Sequence, residues 1–177
     1  MIEDLKNTFL DGYNFATTNL AAAATVAIGN VIDVASVLQT GLTAASNVTP
    51  QWPNGGTAGV QGRNFGAGEP MFLVFRVRAT GAAVTTQANG LTFKLTTDSN
   101  ANLTTSPVDL AISATYTTGI ASGAAIIIVA LPVTNLKQYL GIKAVNGATT
   151  AIVAGTLDAF ITHDVAAWTA YGQANLN

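Results

Sequence analysis

The fold of this chain is decided by residues 66–78, which have the sequence GAGEPMFLVFRVR. The two glycines permit the positive φ of a tight corner, and the proline favours an extended conformation at the residue before it. After the corner, side chains alternate with the period of two that a β-strand requires. We therefore predict a central strand, on which other strands pair. One face is wholly apolar and the other changes from apolar to basic: Leu73, Phe75 and Val77, against Phe72, Val74, Arg76 and Arg78.

Seven further segments favour short β-strands, because β-branched and aromatic residues are concentrated in them and turn residues separate them. Gly29-Asn30 divides the first of these segments from the second. The segments are residues 25–28, 31–34, 91–97, 110–112, 124–131, 139–145 and 156–162. Alternation predicts the inward side chains of two of these strands, namely Leu91, Phe93 and Leu95, and Leu157, Ala159 and Ile161.

Two of the segments lead to more specific predictions. Residues 124–131 are apolar without interruption, which predicts a strand that is buried on both faces. Asn146-Gly147 follows segment 139–145 and has the preferred sequence of a two-residue turn, which predicts a β-hairpin. About eight short strands without a sustained helical period predict an all-β domain, either a β-sandwich or a barrel.

The predicted domain organisation follows from where the strands begin and end. Residues 21–164 form the β-sandwich domain, in which a stretch rich in glycine, proline and asparagine at about 35–65 is a long loop before the central strand. Residues 1–20 and 165–177 are predicted as N- and C-terminal arms. Two interpretations of the N-terminal arm remain open: an arm with one amphipathic turn, or an arm laid on a neighbouring subunit.

Six aromatic residues outside the predicted strands are candidate contacts with a partner, because aromatic side chains are enriched among interface anchors. Three of them anchor the N-terminal arm if it lies on a neighbouring subunit. Trp52, in the long loop, either packs on its own domain, which we favour, or reaches a partner. The complete set is Phe9, Tyr13, Phe15, Trp52, Trp168 and Tyr171.

The composition indicates a chain that works within an assembly. Hydrophobic residues make up 49% of its 177 residues and charged residues only 9%, whereas about 25% is usual for soluble domains. A surface poor in charge loses little solvation energy when another protein covers it, and a net charge of −2 gives little repulsion between copies. The alternative is a free monomer that is merely rich in alanine and threonine.

Several classes of function are disfavoured by what the sequence lacks. Its 7 basic residues do not form the cluster that nucleic acids require. The longest apolar run, residues 124–131, is far shorter than the about 20 residues of a membrane helix. The N-terminus lacks the basic-then-apolar order of a signal peptide, which favours cytosolic synthesis. The single histidine, His163, stands beside Asp164 without a cysteine or a nucleophile motif, so we predict no enzyme, metal site or cofactor.

Five segments, in order along the chain, resemble the Bbp16-like capsid cement (decoration) proteins of tailed bacteriophages. The most specific is a Gly-x-Gly-Glu-Pro corner followed by an apolar strand, within residues 62–74. The chain departs from the family at residues 35–61, where the family has a short link, and at both termini. The resemblance covers most of residues 30–164, and its other segments are residues 30–34, 91–99, 131–132 with 137–142, and 154–164.

The resemblance implies a jelly-roll-type antiparallel β-sandwich on the outer surface of an icosahedral phage head. Such a protein links neighbouring major capsid proteins and stabilises the shell against the pressure of the packaged DNA. The resemblance further implies a homodimer, with a homotrimer as the alternative, assembly in the host cytoplasm, and no catalytic residue or cofactor. The composition predicts no nucleic acid or membrane partner.

Two other hypotheses remain open at this stage. One is a carbohydrate-binding jelly-roll module for host attachment, which would use exposed aromatic side chains over a shallow groove. Its candidates are Trp52, Trp168 and Tyr171. The other is a sandwich-fold hydrolase, which the missing acid–base set disfavours.

Overall fold

A computed structural model describes residues 8–33, 70–85, 90–131, 136–163 and 165 of the chain. The secondary-structure elements of these residues are eight β-strands. Most of them are segments in which alternation or β-branching favours an extended backbone. Their bounds are β1 (Thr8–Asn14), β2 (Thr25–Asp33), β3 (Phe72–Val77), β4 (Leu91–Asp98), β5 (Val108–Ile112), β6 (Ala125–Ala130), β7 (Tyr139–Asn146) and β8 (Thr156–Thr162).

The strands pair in a nested order that builds two antiparallel sheets of four strands. Outward from the β4–β5 connection, β4 pairs with β5, β3 with β6, β2 with β7 and β1 with β8. Two further ladders, β3–β8 and β4–β7, complete a first sheet with the order β1-β8-β3-β6 and a second sheet with the order β2-β7-β4-β5. The predicted all-β sandwich is confirmed, and nested pairing over two sheets is the jelly-roll arrangement.

The core lies between the two sheets and is built from the predicted inward side chains. Leu73, Phe75 and Val77 of β3 are fully buried, and β3 is an internal strand of the first sheet, as predicted. The predicted inward residues of β4 and β8 also belong to the core. Phe75 and Phe93 join the two sheets through an edge-to-face contact, with ring centroids 4.8 Å apart and an interplanar angle of 87°. This is a favoured geometry for an aromatic pair.

The arm predicted over residues 1–20 is wrong from Thr8 onward. Residues 8–14 are strand β1, which pairs with β8 at the edge of the first sheet, so the sandwich begins before residue 21. The strand was missed because its pairing shifts register between Thr8 and Leu10 and again between Leu10 and Tyr13, which removes the period of two from the sequence. The predicted long loop and residues 166–177 of the C-terminal arm lie outside the described residues.

Two other predictions on strand connections are corrected. The segments 25–28 and 31–34 belong to one strand, β2, whose pairing with β7 shifts register between Ile28 and Ile32. No hairpin follows β7 at Asn146-Gly147, because β7 lies in the second sheet and β8 in the first. The side chain of Asn146 instead bonds to neighbouring loops, and the chain crosses between the sheets.

Strand β6 is not buried on both faces, contrary to the prediction. It forms an edge of the first sheet, and its central residue Ile128 is 41% exposed. Ile126 and Ile127 are buried in the core, whereas Ala125 and Ala130 are exposed. The apolar residues that β6 exposes at this edge are therefore Ala125, Ile128 and Ala130.

The connection between β4 and β5 is organised by one buried carboxylate, that of Asp98. It accepts hydrogen bonds from the backbone N–H groups of Asn100, Thr105 and Ser106 at 3.0–3.2 Å, and from the hydroxyl of Ser106 at 3.2 Å. Burial alone would raise the pKa of Asp98, but these bonds outweigh it and lower the pKa below its ordinary value of 3.8. The charged form therefore holds the connection closed.

We expect Asp98→Asn to lower the thermal unfolding midpoint at neutral pH, because an amide accepts fewer of these bonds and places donors against donors. A lowered folded pKa means that the contribution of Asp98 is present above its unfolded pKa and is lost as the pH falls through the folded pKa. The variant should therefore lose less stability than the parent on acidification. Unfolding midpoints measured from neutral to strongly acidic pH test this, and parallel curves for the two proteins would contradict it.

Candidate docking surface

The exposed large apolar side chains of the described residues are concentrated on edge strands. Val26 lies on β2, Val108 and Ile112 lie on β5, and Ile128 lies on β6, whereas Val153 lies in the β7–β8 connection. All three strands are sheet edges. The large apolar residues of the internal strands are not exposed, so the edge strands carry most of the exposed apolar surface of the described residues.

Three of these residues lie on β5 and β6, with Ile112 paired beside Lys94 on the outer face of the second sheet and Ile128 beside Val74 on the outer face of the first. Strand β5 ends the second sheet and β6 ends the first, and the two strands are in contact. Ile112 is 58% exposed, and Val108 and Ile128 are each 41% exposed. We call this pair of strands the β5–β6 edge, defined by Val108, Ile112, Ile128 and the exposed Ala125 and Ala130.

The β5–β6 edge has few of the features by which proteins usually protect free edges. Each strand has a paired neighbour on one side only among the described strands. Charged residues and prolines commonly block further pairing at such positions. Strand β6 has the sequence AIIIVA, which contains neither, and β5 has the sequence VDLAI, which contains only Asp109. This edge is therefore chemically suited to cover by an apolar partner surface.

The one charge on the edge is neutralised within the chain. Lys94 of β4 donates a hydrogen bond to Asp109 at 2.7 Å, and the hydroxyl of Thr96 donates another at 2.8 Å. Burial alone would raise the pKa of Asp109, but the hydrogen bond from Lys94 and that from Thr96 outweigh it and lower the pKa. Asp109 is thus a paired carboxylate at neutral pH, so a partner that covers it would not bury an unpaired charge.

A second group of charges lies on the outer face of the first sheet and is also internally compensated. Asp158 of β8 accepts hydrogen bonds from Arg78 at 2.8 Å and from the backbone N–H of Gly12 at 3.0 Å. Its second oxygen lies 3.4 Å from Nε of Arg76, and Arg78 also bonds Asp11. The basic residues predicted on one face of β3, Arg76 and Arg78, therefore link β3 to β1 and β8. Their pairing with Asp158 and Asp11 leaves little net charge on the outer face of the first sheet.

The predicted aromatic contacts of the N-terminal segment belong mainly to the core. Phe9 and Phe15 are fully buried, so the prediction that they anchor an arm on a partner is wrong. Tyr13 is half-buried, packs edge-to-face on Phe15 with centroids 5.5 Å apart, and has its pKa raised by burial. The remaining candidates, Trp52, Trp168 and Tyr171, lie outside the described residues.

Sequence reasoning missed the β5–β6 edge because it took aromatic residues outside strands as the signal for contacts. The uninterrupted apolar run of residues 124–131 could have indicated this edge. A strand with one buried face needs apolar side chains only at every second position, so the others are apolar side chains that the core does not need. The pattern of residues 108–112 was weak by itself, because their exposure depends on β5 being last in its sheet.

The described residues contain no group of three histidine, cysteine, aspartate or glutamate side chains that could hold a metal ion. No described helix is long and apolar enough to cross a membrane. His163 immediately follows β8. In comparisons with known proteins, no protein-family model and no curated protein matches this chain.

Proposed function

We propose that this chain is a structural capsid cement (decoration) protein of a tailed bacteriophage. It binds the outer surface of the icosahedral head and links neighbouring major capsid proteins. The observation that carries this proposal is the β5–β6 edge, a pair of adjacent edge strands with exposed apolar side chains and one compensated charge. The ordered resemblance of residues 30–164 to the cement family supports the same function.

The physical reason for this role is that a shell under internal pressure separates first at the seams between its subunits. A protein bound across a seam adds buried area there, and specific interfaces typically bury about 1,600 Å² in total. Even a modest free energy for each copy is repeated over a closed symmetric lattice. With charged residues at only 9% of the sequence, little solvation energy is lost when the chain docks.

The sandwich suits this role because its two sheets share one packed core, so the exposed edge is held on a stiff support. The partner is a major capsid protein surface that is apolar and poor in charge. The chain also pairs with itself, as a homodimer or alternatively a homotrimer. Sedimentation of the purified chain gives its mass and distinguishes these two states from a monomer.

The function is tested with heads of the phage that encodes the chain, prepared with and without it. We expect the purified chain to co-sediment with the heads, and we expect heads that lack it to release DNA at a lower temperature. Binding should persist at high salt, because screening weakens ion pairs between surfaces but not apolar contacts. Equal thermal stability of the two head preparations would contradict the proposal.

Charge placed on the β5–β6 edge should weaken binding to heads. We expect Ile112→Lys and Ile128→Lys each to reduce affinity by about tenfold or more, because an unpaired ammonium group buried at an interface costs more than about 1.4 kcal/mol. The measurement is the bound fraction of each variant against its concentration, at fixed salt.

Val153→Lys is the matched control, because Val153 is 52% exposed but lies in the β7–β8 connection. It makes the same chemical change at similar exposure away from the edge, so its affinity should remain close to that of the parent chain. Equal binding by all three variants would show that the β5–β6 edge is not the docking surface.

A further inference from the structure

Asn146 occupies a position at the end of β7 where an amide is required. The residue is 1% exposed, and its Nδ2 donates hydrogen bonds to the carbonyls of Ala21 and Thr150, both at 2.9 Å. A third carbonyl, that of Leu20, lies 3.4 Å from the same nitrogen. Its Oδ1 accepts a bond from the backbone N–H of Ala148 at 3.0 Å. The side chain thus joins the β1–β2 connection to the β7–β8 connection.

Asn146 is followed by Gly147, and an asparagine before glycine is chemically reactive when the backbone is free to bend. The backbone nitrogen of Gly147 attacks Cγ of Asn146, Nδ2 leaves as ammonia, and a five-membered succinimide forms. Water then opens this ring at either carbonyl and gives aspartate or isoaspartate. The balance is one water consumed and one ammonia released, without an oxidant or a catalyst.

The folded chain blocks the first step of this reaction. The backbone N–H of Gly147 donates to the carbonyl of Gly90 at 2.9 Å, and that of Asn146 donates to the carbonyl of Ala24 at 2.8 Å. The attacking nitrogen and the leaving amide are therefore both held by hydrogen-bond partners, and the side chain of Asn146 is buried. Reaction requires these bonds to open together, which happens when this part of the sandwich unfolds.

The product of the reaction does not fit the folded site. A carboxylate at position 146 would place oxygen, in place of an N–H donor, against the carbonyl oxygens of Ala21 and Thr150. Isoaspartate would in addition lengthen the backbone by one methylene at the last residue of strand β7. Both products leave the carbonyls of Ala21 and Thr150 without these donors and bring like partial charges together.

We propose that Asn146-Gly147 is a spontaneous deamidation site, protected in the folded chain, whose modification after unfolding prevents the chain from refolding. Folding protects the amide, and the amide is needed for folding. A chain that stays unfolded for long enough therefore loses the ability to fold. This inference is independent of the partner that the chain binds.

The test holds the full-length chain in denaturant at mildly alkaline pH for increasing times and then dilutes it into native buffer. Peptide mapping by mass spectrometry gives the deamidated fraction at Asn146, and circular dichroism with sedimentation gives the refolded fraction. We expect the refolded fraction to fall one for one with deamidation at Asn146. A folded sample kept at the same pH should retain its amide over the same time.

The chain supplies its own controls. Asn54-Gly55 and Asn89-Gly90 are the same dipeptide, and loss of refolding should follow position 146 and not these two. Gly147→Ala slows ring formation through its added methyl group, and Gly147 is not among the described glycines with positive φ, so this variant should keep its capacity to refold for longer. Deamidation at equal rates in the folded and unfolded chains, or full refolding of chains deamidated at Asn146, would overturn the proposal.

Discussion

Replacing Gly29 with alanine lowers the free energy of unfolding by about 3 kcal/mol or more, which is the largest effect that we expect from the addition of a single methyl group. Gly29 lies in the irregular part of β2, with φ of 68°. A Cβ at this position would lie 2.1 Å from Cδ2 of Leu10 and 2.4 Å from the backbone oxygen of Phe9. The side chain of Leu10 could move, but the backbone of Phe9 belongs to β1, so the edges of both sheets would have to separate.

Gly123→Ala is the matched control for this prediction. Gly123 also has a positive φ, of 78°, but the nearest atom to an added Cβ is Cβ of Ala79 at 3.8 Å, an ordinary contact. This variant pays only the cost of a left-handed backbone, about 1 kcal/mol. Urea unfolding of both variants gives the two free energies, which are compared with the same slope of free energy against urea concentration. Equal destabilisation of the two variants would show that the close approach of β1 does not exclude a side chain at position 29.

The second large effect is expected from Asn146→Asp. We expect it to lower the free energy of unfolding at neutral pH by about 3 kcal/mol or more, because a buried carboxylate would lose two hydrogen bonds and face carbonyl oxygens. The result is measured by urea unfolding of the intact chain. It tests the folded site alone, without the chemistry of deamidation.

The pH dependence of this variant has a definite sign. Burial against carbonyls raises the folded pKa of the introduced carboxyl above its unfolded value, so the penalty that comes from its charge is absent below the unfolded pKa and complete above the folded pKa. The difference in stability between variant and parent should therefore shrink on acidification. A difference that is independent of pH would contradict this account.

Asn102→Asp provides the comparison for Asn146→Asp. Asn102 is exposed, and its Oδ1 accepts a hydrogen bond from the backbone N–H of Thr104 at 3.0 Å, which a carboxylate also accepts. We expect a change within about 0.5 kcal/mol, as is usual for surface substitutions. The same chemical change should therefore be severe at position 146 and small at position 102.

The strands that the sequence predicted well each have one ladder without a register shift, β3 and β8 with each other and β4 with β7. In β3, β4 and β8 the inward residues follow each other at every second position, so alternation alone identified them. Register shifts defeat this signal, because one extra residue reverses the faces that follow. For that reason β1 was missed, whereas β2 was predicted as two strands because Gly29-Asn30, at its register shift, was taken as a break. These two errors offset each other, so the predicted and observed counts of strands agree.

The candidate site was less predictable than the fold. Phe9 and Phe15 were predicted as partner contacts because they precede the predicted domain of residues 21–164, but they fill its core. The β5–β6 edge was not predicted, because exposure at an edge depends on which strands are last in their sheets. That order follows from pairings such as β3 with β6, which join residues far apart in the chain.

The sequence by itself determined that this chain is an all-β domain with few charges and a central strand that has one apolar face, because alternation and composition are local properties. Only the tertiary structure decided that β5 and β6 lie side by side at two sheet edges and that Asn146 joins two connections across the fold. The physical reason is that a side chain is buried or exposed according to its neighbours in space, and nested pairing takes those neighbours from opposite ends of the chain.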